Sequence, residues 1–341
     1  MIGKRLKAAR LQLGLSLNDV SELTGSVISQ PSISRYETGQ QKIPSDNLRL
    51  LARALRKPVG YFRSDPTKGL HVEMQVFNRL PIKECERLRS IAKDLVERYA
   101  EAETLLSRMS KAIPRFSVPA TSKAAAFAAA DRLRFDWQMG ACSIHCVTDL
   151  LESKSIRVFG TPGSSDFTSA IARVAGQPNA ILFNNDLKVY PATHQRYHIL
   201  TALGYAYMGE NTPKKVVAQF ASGLAMNANS LCARLGERRT TISVTELKGV
   251  ASSFGVPVKA ALQHIYSIGI IRQHGYKAMK EQMDAIGWQD CRPKLYAHNE
   301  LPRRLFEMLC RGVIENTISQ SKAAQLCGMT LGKFRAHQFK Y

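Results

Sequence analysis

Residues 4–62 break into short apolar stripes separated by single glycines, and that punctuation confines the segment to a set of small packed helices. Leu6, Ala9, Leu13 and Leu17 recur at helical spacing, and Gly14 supplies the left-handed turn that ends the first helix. Ser16 is placed to cap a second helix whose Val20 and Leu23 face inward, and Gly25 marks the next turn. In SQPSISRYE, residues 29–37, Ser29 is an N-cap. Pro31 is tolerated because the N–H groups of a first turn have no helical partner. Ile33 and Tyr36 then point to a core, and Gln30, Ser32 and Arg35 project outward. After Gly39, residues 48–55, LRLLARAL, form a further amphipathic helix. Five short helices are expected in all.

The outward residues have a common chemistry. Gln can read adenine bidentately, Ser suits either partner, and Arg prefers guanine or phosphate. The chain carries 48 Lys and Arg against 27 Asp and Glu, a formal charge of +21. Such an excess favours polyanions through attraction and counterion release. Charge alone also fits a merely basic soluble protein, so the pattern has to decide. RLKAAR, GLSL, LTG, SQPSISRYETG and IPSDNLRLLARAL together resemble the XRE, or Cro/repressor-type, helix-turn-helix. The resemblance implies a head for double-stranded DNA contacted by Ser29, Gln30, Ser32 and Arg35, an ion pair between Arg10 and Glu37, and phosphate contacts from Gln40, Gln41 and Lys42. The chain departs from the family at two places. Leu17 stands where the family has a phosphate-contacting Gln, a role Asn18 is expected to take. The turn at 26–28, SVI, is about two residues longer than the commonest version.

Residues 66–80 are expected to be extended, and residues 81–109 to form a long helix. Its Leu88, Ala92, Leu95, Tyr99, Ala102 and Leu106 are spaced four, three, four, three, four, as in an a/d seam. Two readings stay open. The seam could join two copies into a homodimer, or the helix could lie on its own chain.

From residue 113 helix and strand signals alternate: an Ala-rich helix to Met139, CVTDLLESK, the strand SIRVFG, the strand NAILFNN (179–185), a helix from Gln195 to Met208 and another at 214–226. This order resembles the ImmA/IrrE-type metallopeptidase domain, and the likeness continues through 244–271, AIGWQD and ISQSKAAQLCGM (318–329). That family's distinctive run is Arg-Phe-Thr-x-Ala-His-Glu-x-Gly-His. Here Arg196, Tyr197 and Gly204 keep the scaffold, while Thr201, Ala202 and Tyr205 replace the zinc ligands and the base. Zinc needs about three N, O or S ligands at ~2 Å, and a Glu beside the first activates its water. Thr201 is a weak neutral ligand, Ala202 takes no proton, and the stretch expected to supply an acidic ligand begins Lys214, Lys215, Val216, Val217. No metal, no cofactor and no catalytic residue is therefore expected, and the domain reads as a degenerate peptidase. HQRYH, with His194 and His198 four apart, lacks a base at Gln195 and an acidic third ligand, and reads as two solvent-facing histidines. In CSIHC (142–146) Cys146 reads as buried packing rather than as a metal or redox thiol. His198, Thr201, Tyr205 and Tyr207 are candidates to line a ligand pocket in the emptied cleft.

The tail echoes a helix-turn-helix, with Ser319 as a cap and Gly328 in the turn. Closure of the large domain is the expected role, and a second DNA contact by Lys333, Arg335 and Lys340 the sharper one. Seven unpatterned cysteines, among them Cys291, an N-terminus without an apolar core and the lack of any apolar run near ~20 residues fit a cytoplasmic protein with reduced thiols and no membrane span.

The expected architecture is mainly α. Residues 1–64 form the five-helix head, 65–112 a connector with the long helix, 113–295 an α+β zincin-like domain with a small sheet, and 296–341 a helical tail. The expected function is transcription regulation through double-stranded DNA, with repression by promoter occlusion as the simplest mechanism and a small-molecule or protein effector at the large domain. Two alternatives stand beside it: an antitoxin that binds its own promoter and a toxin, and an active metallopeptidase that cleaves another regulator.

Overall fold

The periodicity of the first sixty residues is realised as five helices: α1 (Ile2–Gln12), α2 (Leu17–Leu23), α3 (Gln30–Thr38), α4 (Ser45–Ala54) and α5 (Val59–Arg63). The structure is a computed structural model that describes residues 2–63, 72–116, 121–175, 178–288 and 300–338. Cys291, Lys340 and the end of AIGWQD lie outside the described residues. Gly14 turns the chain out of α1 at φ 69°. Ser16 and Asp19 close a reciprocal capping box on α2. Gly3 lets α1 lie directly on the end of α3, since a Cβ there would come 2.2 Å from the Tyr36 carbonyl oxygen. Leu6, Ala9, Val20, Ile33, Tyr36, Leu51 and Phe62 fill the small core.

Two expected core positions are exposed instead, Leu13 at 40% and Leu23 at 55%. α1 has already ended before Leu13, and Leu23 is the last residue of a helix of two turns. The longer turn makes good the loss: Ile28 enters the core at 2% exposure, and its carbonyl accepts a 2.8 Å bond from Ser21 Oγ. Ser29 has the extended backbone of an N-cap, but its hydroxyl pairs with Ser32 Oγ at 3.0 Å.

The body is built on a four-stranded sheet of β1 (Val72–Val76), β2 (Arg157–Thr161), β3 (Ser169–Val174) and β4 (Ala180–Asn184), in the order β1-β3-β4-β2. β1 pairs with β3 and β3 with β4, both antiparallel, and β2 runs parallel to β4. β1 lies in the stretch expected to be extended, and β3 is a strand the sequence reading did not single out. Period-two alternation splits the sheet's side chains between two cores. Val158, Ile171, Ile181 and Phe183 face the larger core, with helices α7 (Lys123–Asp136), α9 (Ala192–Met208) and α10 (Lys214–Ala225). Phe159, Ala170, Ala172 and Leu182 face the smaller one. That second core is closed by α6 (Ile82–Leu106), α15 (Arg304–Ile314), α16 (Gln320–Cys327) and α17 (Leu331–Gln338). Phe334 of α17 is fully buried there, so the tail is packed into the body. Around the larger core run α8 (Val147–Ser153), α11 (Ala228–Leu235), α12 (Val244–Phe254), α13 (Val258–Ser267) and α14 (Gln273–Ile286).

The heptad seam on α6 is used within one chain. Leu88, Ala92, Tyr99 and Ala102 are at most 1% exposed, and Leu95 and Leu106 pack at the edge of the same core. The seam that could have joined two copies is thus covered by the sheet, α15 and α16. The lower part of α6 also anchors a charge: Glu103 and Arg157, both without exposed side-chain surface, pair at 2.5 Å under the ring of Tyr99. Buried charges persist only when so matched. The other face of α6 carries the head, where Ser90 Oγ donates to the Ala8 carbonyl at 3.1 Å and Arg5 Nη1 to Glu97 Oε2 at 2.7 Å. Among the described residues no helix is long and apolar enough to cross a membrane.

Candidate nucleic-acid interface

α3 presents its first turn to solvent. Ser29, Gln30 and Pro31 are exposed, Ser32 is half-buried, and Arg35 is exposed one turn on. Ile33 and Tyr36, on the opposite side, are locked in the core, so the outward set cannot rotate away. No hydrogen bond from a described residue holds the side chains of Gln30 or Arg35, which leaves their donors and acceptors for base edges. Gln40, Gln41 and Lys42 follow in an exposed loop. The Gln41 amide is fixed to the Arg35 carbonyl at 3.3 Å, which ties that loop to α3. Asn18 is exposed at the start of α2, where its amide donates to Glu22 Oε1 at 2.8 Å.

Electrostatics sharpen this face. Glu37 is the one carboxylate between Glu22 and Asp46, and it is spoken for. Arg10 Nε and Nη2 donate to its two oxygens at 2.7 and 2.8 Å, and Arg10 Nη1 donates to the Leu15 carbonyl at 2.9 Å. The Glu37 bonds hold the Arg10 guanidinium pKa above its ordinary value. The pair fastens α1 to α3 and neutralises the carboxylate that lies within the α3 segment. A notch of about 600 Å3 beside it, lined by Lys4, Lys7 and Leu17, opens between α1, α2 and α3. Lys4 and Lys7 are exposed cations the sequence reading did not single out, although their i,i+3 spacing on α1 places them on one face.

α9 carries the residues read as replacing zinc ligands and base. Thr201 Oγ1 donates back to the Tyr197 carbonyl at 2.8 Å, and Tyr197 OH donates to the Ala218 carbonyl at 2.9 Å. Where the sequence predicts an open cleft, the chain's own rings stand. Phe77 stacks on Tyr205 at 4.1 Å, and Tyr207 packs between Phe116 and Phe220. Tyr205 and Tyr207 are buried, so the candidate pocket of His198, Thr201, Tyr205 and Tyr207 is filled from within. The histidines also differ from expectation. The His198 ring sits edge-on to Tyr190 at 4.6 Å, away from open solvent. Burial, helped by His194 and Lys214, pushes its pKa down to about 3. The Lys214 ammonium nearby repels a cation at that ring. Among the described residues no group of three or more His, Cys, Asp and Glu side chains is arranged to hold a metal ion.

CSIHC marks a structural joint. Cys146 occupies the N-cap of α8, and its thiol donates to Glu300 Oε2 at 3.2 Å. Glu300, 1% exposed, accepts from the Val147 and Thr148 amides at 3.1 and 2.7 Å and pairs with Arg196 at 3.3 Å. The first turn of a helix favours such an anion. Burial, with Glu300 nearby, pushes the Cys146 thiol up to about 12. Glu300 was missed in the sequence because no local pattern ties it to residues 150 positions away.

Residues 6–62 match the helix-turn-helix family model. No curated protein and no solved structure matches the chain. The head is thus an XRE-type helix-turn-helix, a module for double-stranded DNA, and the match ends with it. It marks the chain as a DNA-binding transcription regulator.

Proposed function

We propose that the chain is a sequence-specific transcription regulator of the cytoplasm that represses by covering a promoter. The observation that carries this is the first turn of α3, where Gln30 and Arg35 are exposed, with no side-chain hydrogen bond to a described residue, beside Lys42 while Glu37 is neutralised by Arg10. Gln30, Ser32 and Arg35 enter the major groove, and Asn18, Gln40, Gln41 and Lys42 set the register on phosphates. Two copies act together on half-sites about one helical turn apart, as heads of this size read too few base pairs alone. The body is a peptidase-derived module of the ImmA/IrrE type without hydrolytic function, serving partner binding or sensing. Support for this comes from Thr201, Ala202 and Tyr205 at the ligand and base positions and from Lys214 beside His198.

Selection of bound sites from random duplexes tests the reading. A two-fold symmetric motif is the expected output. An unenriched pool would sink specific binding, and a single asymmetric site would sink the paired copies. Stoichiometric zinc in the purified chain, with chelator-sensitive proteolysis, would overturn the role given to the body.

A further inference from the structure

The turn between α11 and α12 meets the start of α14 in a groove of about 620 Å3 on the body. Arg238 and Arg239 line it from the turn, and Arg272 and His274 from the other segment. Backbone contacts fasten the two segments together. The Arg239 amide donates to the Ile270 carbonyl at 2.7 Å. Gly275 lies so close to the turn that a Cβ there would come 2.3 Å from the Thr240 carbonyl oxygen. Ile270 and Ile271, each 1% exposed, root this joint in the larger core. The recess is therefore a fixed feature of the fold.

Its charge is one-sided. Three arginines line the groove, and no described carboxylate does. Arg239 is answered from outside it, where Nη1 donates to Glu246 Oε1 at 2.6 Å. Arg238, Arg272 and His274 are exposed, and their side chains make no hydrogen bond or ion pair with any described residue. Glu237, next to Arg238 in the chain, is exposed and does not line the groove. Two guanidiniums on one recess, with no anion between them, repel cations and attract anions. Their fork of N–H groups matches phosphate oxygens, and the His274 ring adds a further donor.

Shape selects among phosphate ligands. The lining holds no Trp, Tyr or Phe, and Ile270 is its one large apolar residue. A nucleotide base or an unpaired strand would find no surface to stack on. Reading base edges takes a convex element that enters the major groove, whereas a concave cationic surface receives the phosphate ridge beside it. We propose that this groove is a second, sequence-independent contact for the phosphate backbone of duplex DNA, with Arg238 and Arg272 on neighbouring phosphates. It lies on the larger-core side of the sheet, whereas the head is carried by α6 on the other side. The contact is therefore separate from α3 and goes beyond the role given to the head.

Anisotropy titrations of a labelled random-sequence duplex, on the full chain carrying Gln30→Ala, Arg35→Ala and Lys42→Ala, isolate the contribution of the body. Adding Arg238→Ala and Arg272→Ala is expected to weaken binding at least fivefold and to lower the slope of log K against log salt by about two. Both side chains are exposed, so the thermal midpoint is expected to be unchanged. Arg108→Ala with Lys188→Ala, at two exposed cations elsewhere on the body, removes the same charge and is expected to cost less than twofold. Absence of binding by the head variant, undiminished affinity after the groove substitutions, or an equal loss in the control pair overturns the site. ATP that binds at micromolar concentration, and is lost with the same two arginines, would assign the groove to a small polyphosphate and overturn the duplex contact. Tighter binding of single-stranded DNA would overturn it as well. A parent chain that enriches no sequence, yet binds duplexes through Arg238 and Arg272, refutes the reading of the head and leaves the groove intact.

Discussion

Arg10 and Glu37 face each other as two parallel hydrogen bonds, 2.7 and 2.8 Å long, with side chains 12% and 6% exposed. The fork geometry is available to arginine and not to lysine. The pair is the main polar tie between α1 and the last turn of α3, so it holds the recognition helix at its angle. Arg10→Ala leaves Glu37 buried without its partner, and the head should lose about 3 kcal/mol. Arg10→Lys should recover less than half of that. Urea unfolding followed by a probe in the head measures both, and a loss within experimental error for Arg10→Ala would remove the pair from the fold's supports.

Thiol chemistry should divide by burial. Cys142 is exposed, whereas the Cys146 thiol is pushed up to about 12 by burial and donates to Glu300. Only the thiolate attacks an alkylating agent. At pH 8, iodoacetamide followed by peptide mapping should label Cys142 at least tenfold faster than Cys146. Comparable rates would reopen a redox role for CSIHC.

The head was legible because its information is local. Gly14, Ser16, Gly39 and the Ile33/Tyr36 pair act within a few residues, and the fold uses them as written. The long turn could be counted in the sequence, but not that Ile28 would replace Leu23 in the core, since both positions are equally apolar. α6 shows the reverse limit. Its apolar stripe fixed which face is buried, while what covers it was set by β1, α15 and α16, and a stripe carries no label for its partner. The expected pocket failed for a related reason: Phe77 and Phe116 come from distant segments, and nothing in 196–208 announces that they stack there. The pairing of Arg5 with Glu97 escaped notice because surface-like charges on two helices gain meaning only once the helices touch.

Acid should weaken the body through two neutral histidines. Burial pushes His264 down to about 4, and its Nε2 bonds the Met226 carbonyl at 2.9 Å. His198 lies lower still, at about 3. Both folded values lie below the unfolded value of about 6.5, so below that pH the unfolded chain binds protons that the folded chain refuses. Stability contributed by the neutral rings is therefore full above about 6.5 and falls as pH falls, until the folded protein itself titrates near 4 and 3. For His264 the complete loss is on the order of 3 kcal/mol. His264→Gln keeps a donor for Met226 and does not titrate, so its stability relative to the parent should improve steadily between pH 6.5 and 4. Urea midpoints at four pH values give the slope, and parallel profiles for the two proteins would contradict the assignment.

Base contact and phosphate contact should separate cleanly between Gln30 and Lys42. Gln30 opens α3 with an exposed amide, and Lys42 extends from the loop that Gln41 ties to Arg35. An amide that reads one base edge discriminates among sequences, whereas an ammonium on a phosphate does not. Gln30→Ala should relax preference at a single operator position by about 1–3 kcal/mol and leave the salt dependence unchanged. Lys42→Ala should weaken every duplex alike and lower the slope of log K against log salt by about one. Titrations of the selected operator, its single-base variants and a scrambled duplex at two salt concentrations provide all four numbers. A Gln30→Ala chain that loses affinity equally for cognate and scrambled duplexes would place Gln30 on the backbone, and α3 would then be docked across the groove rather than into it.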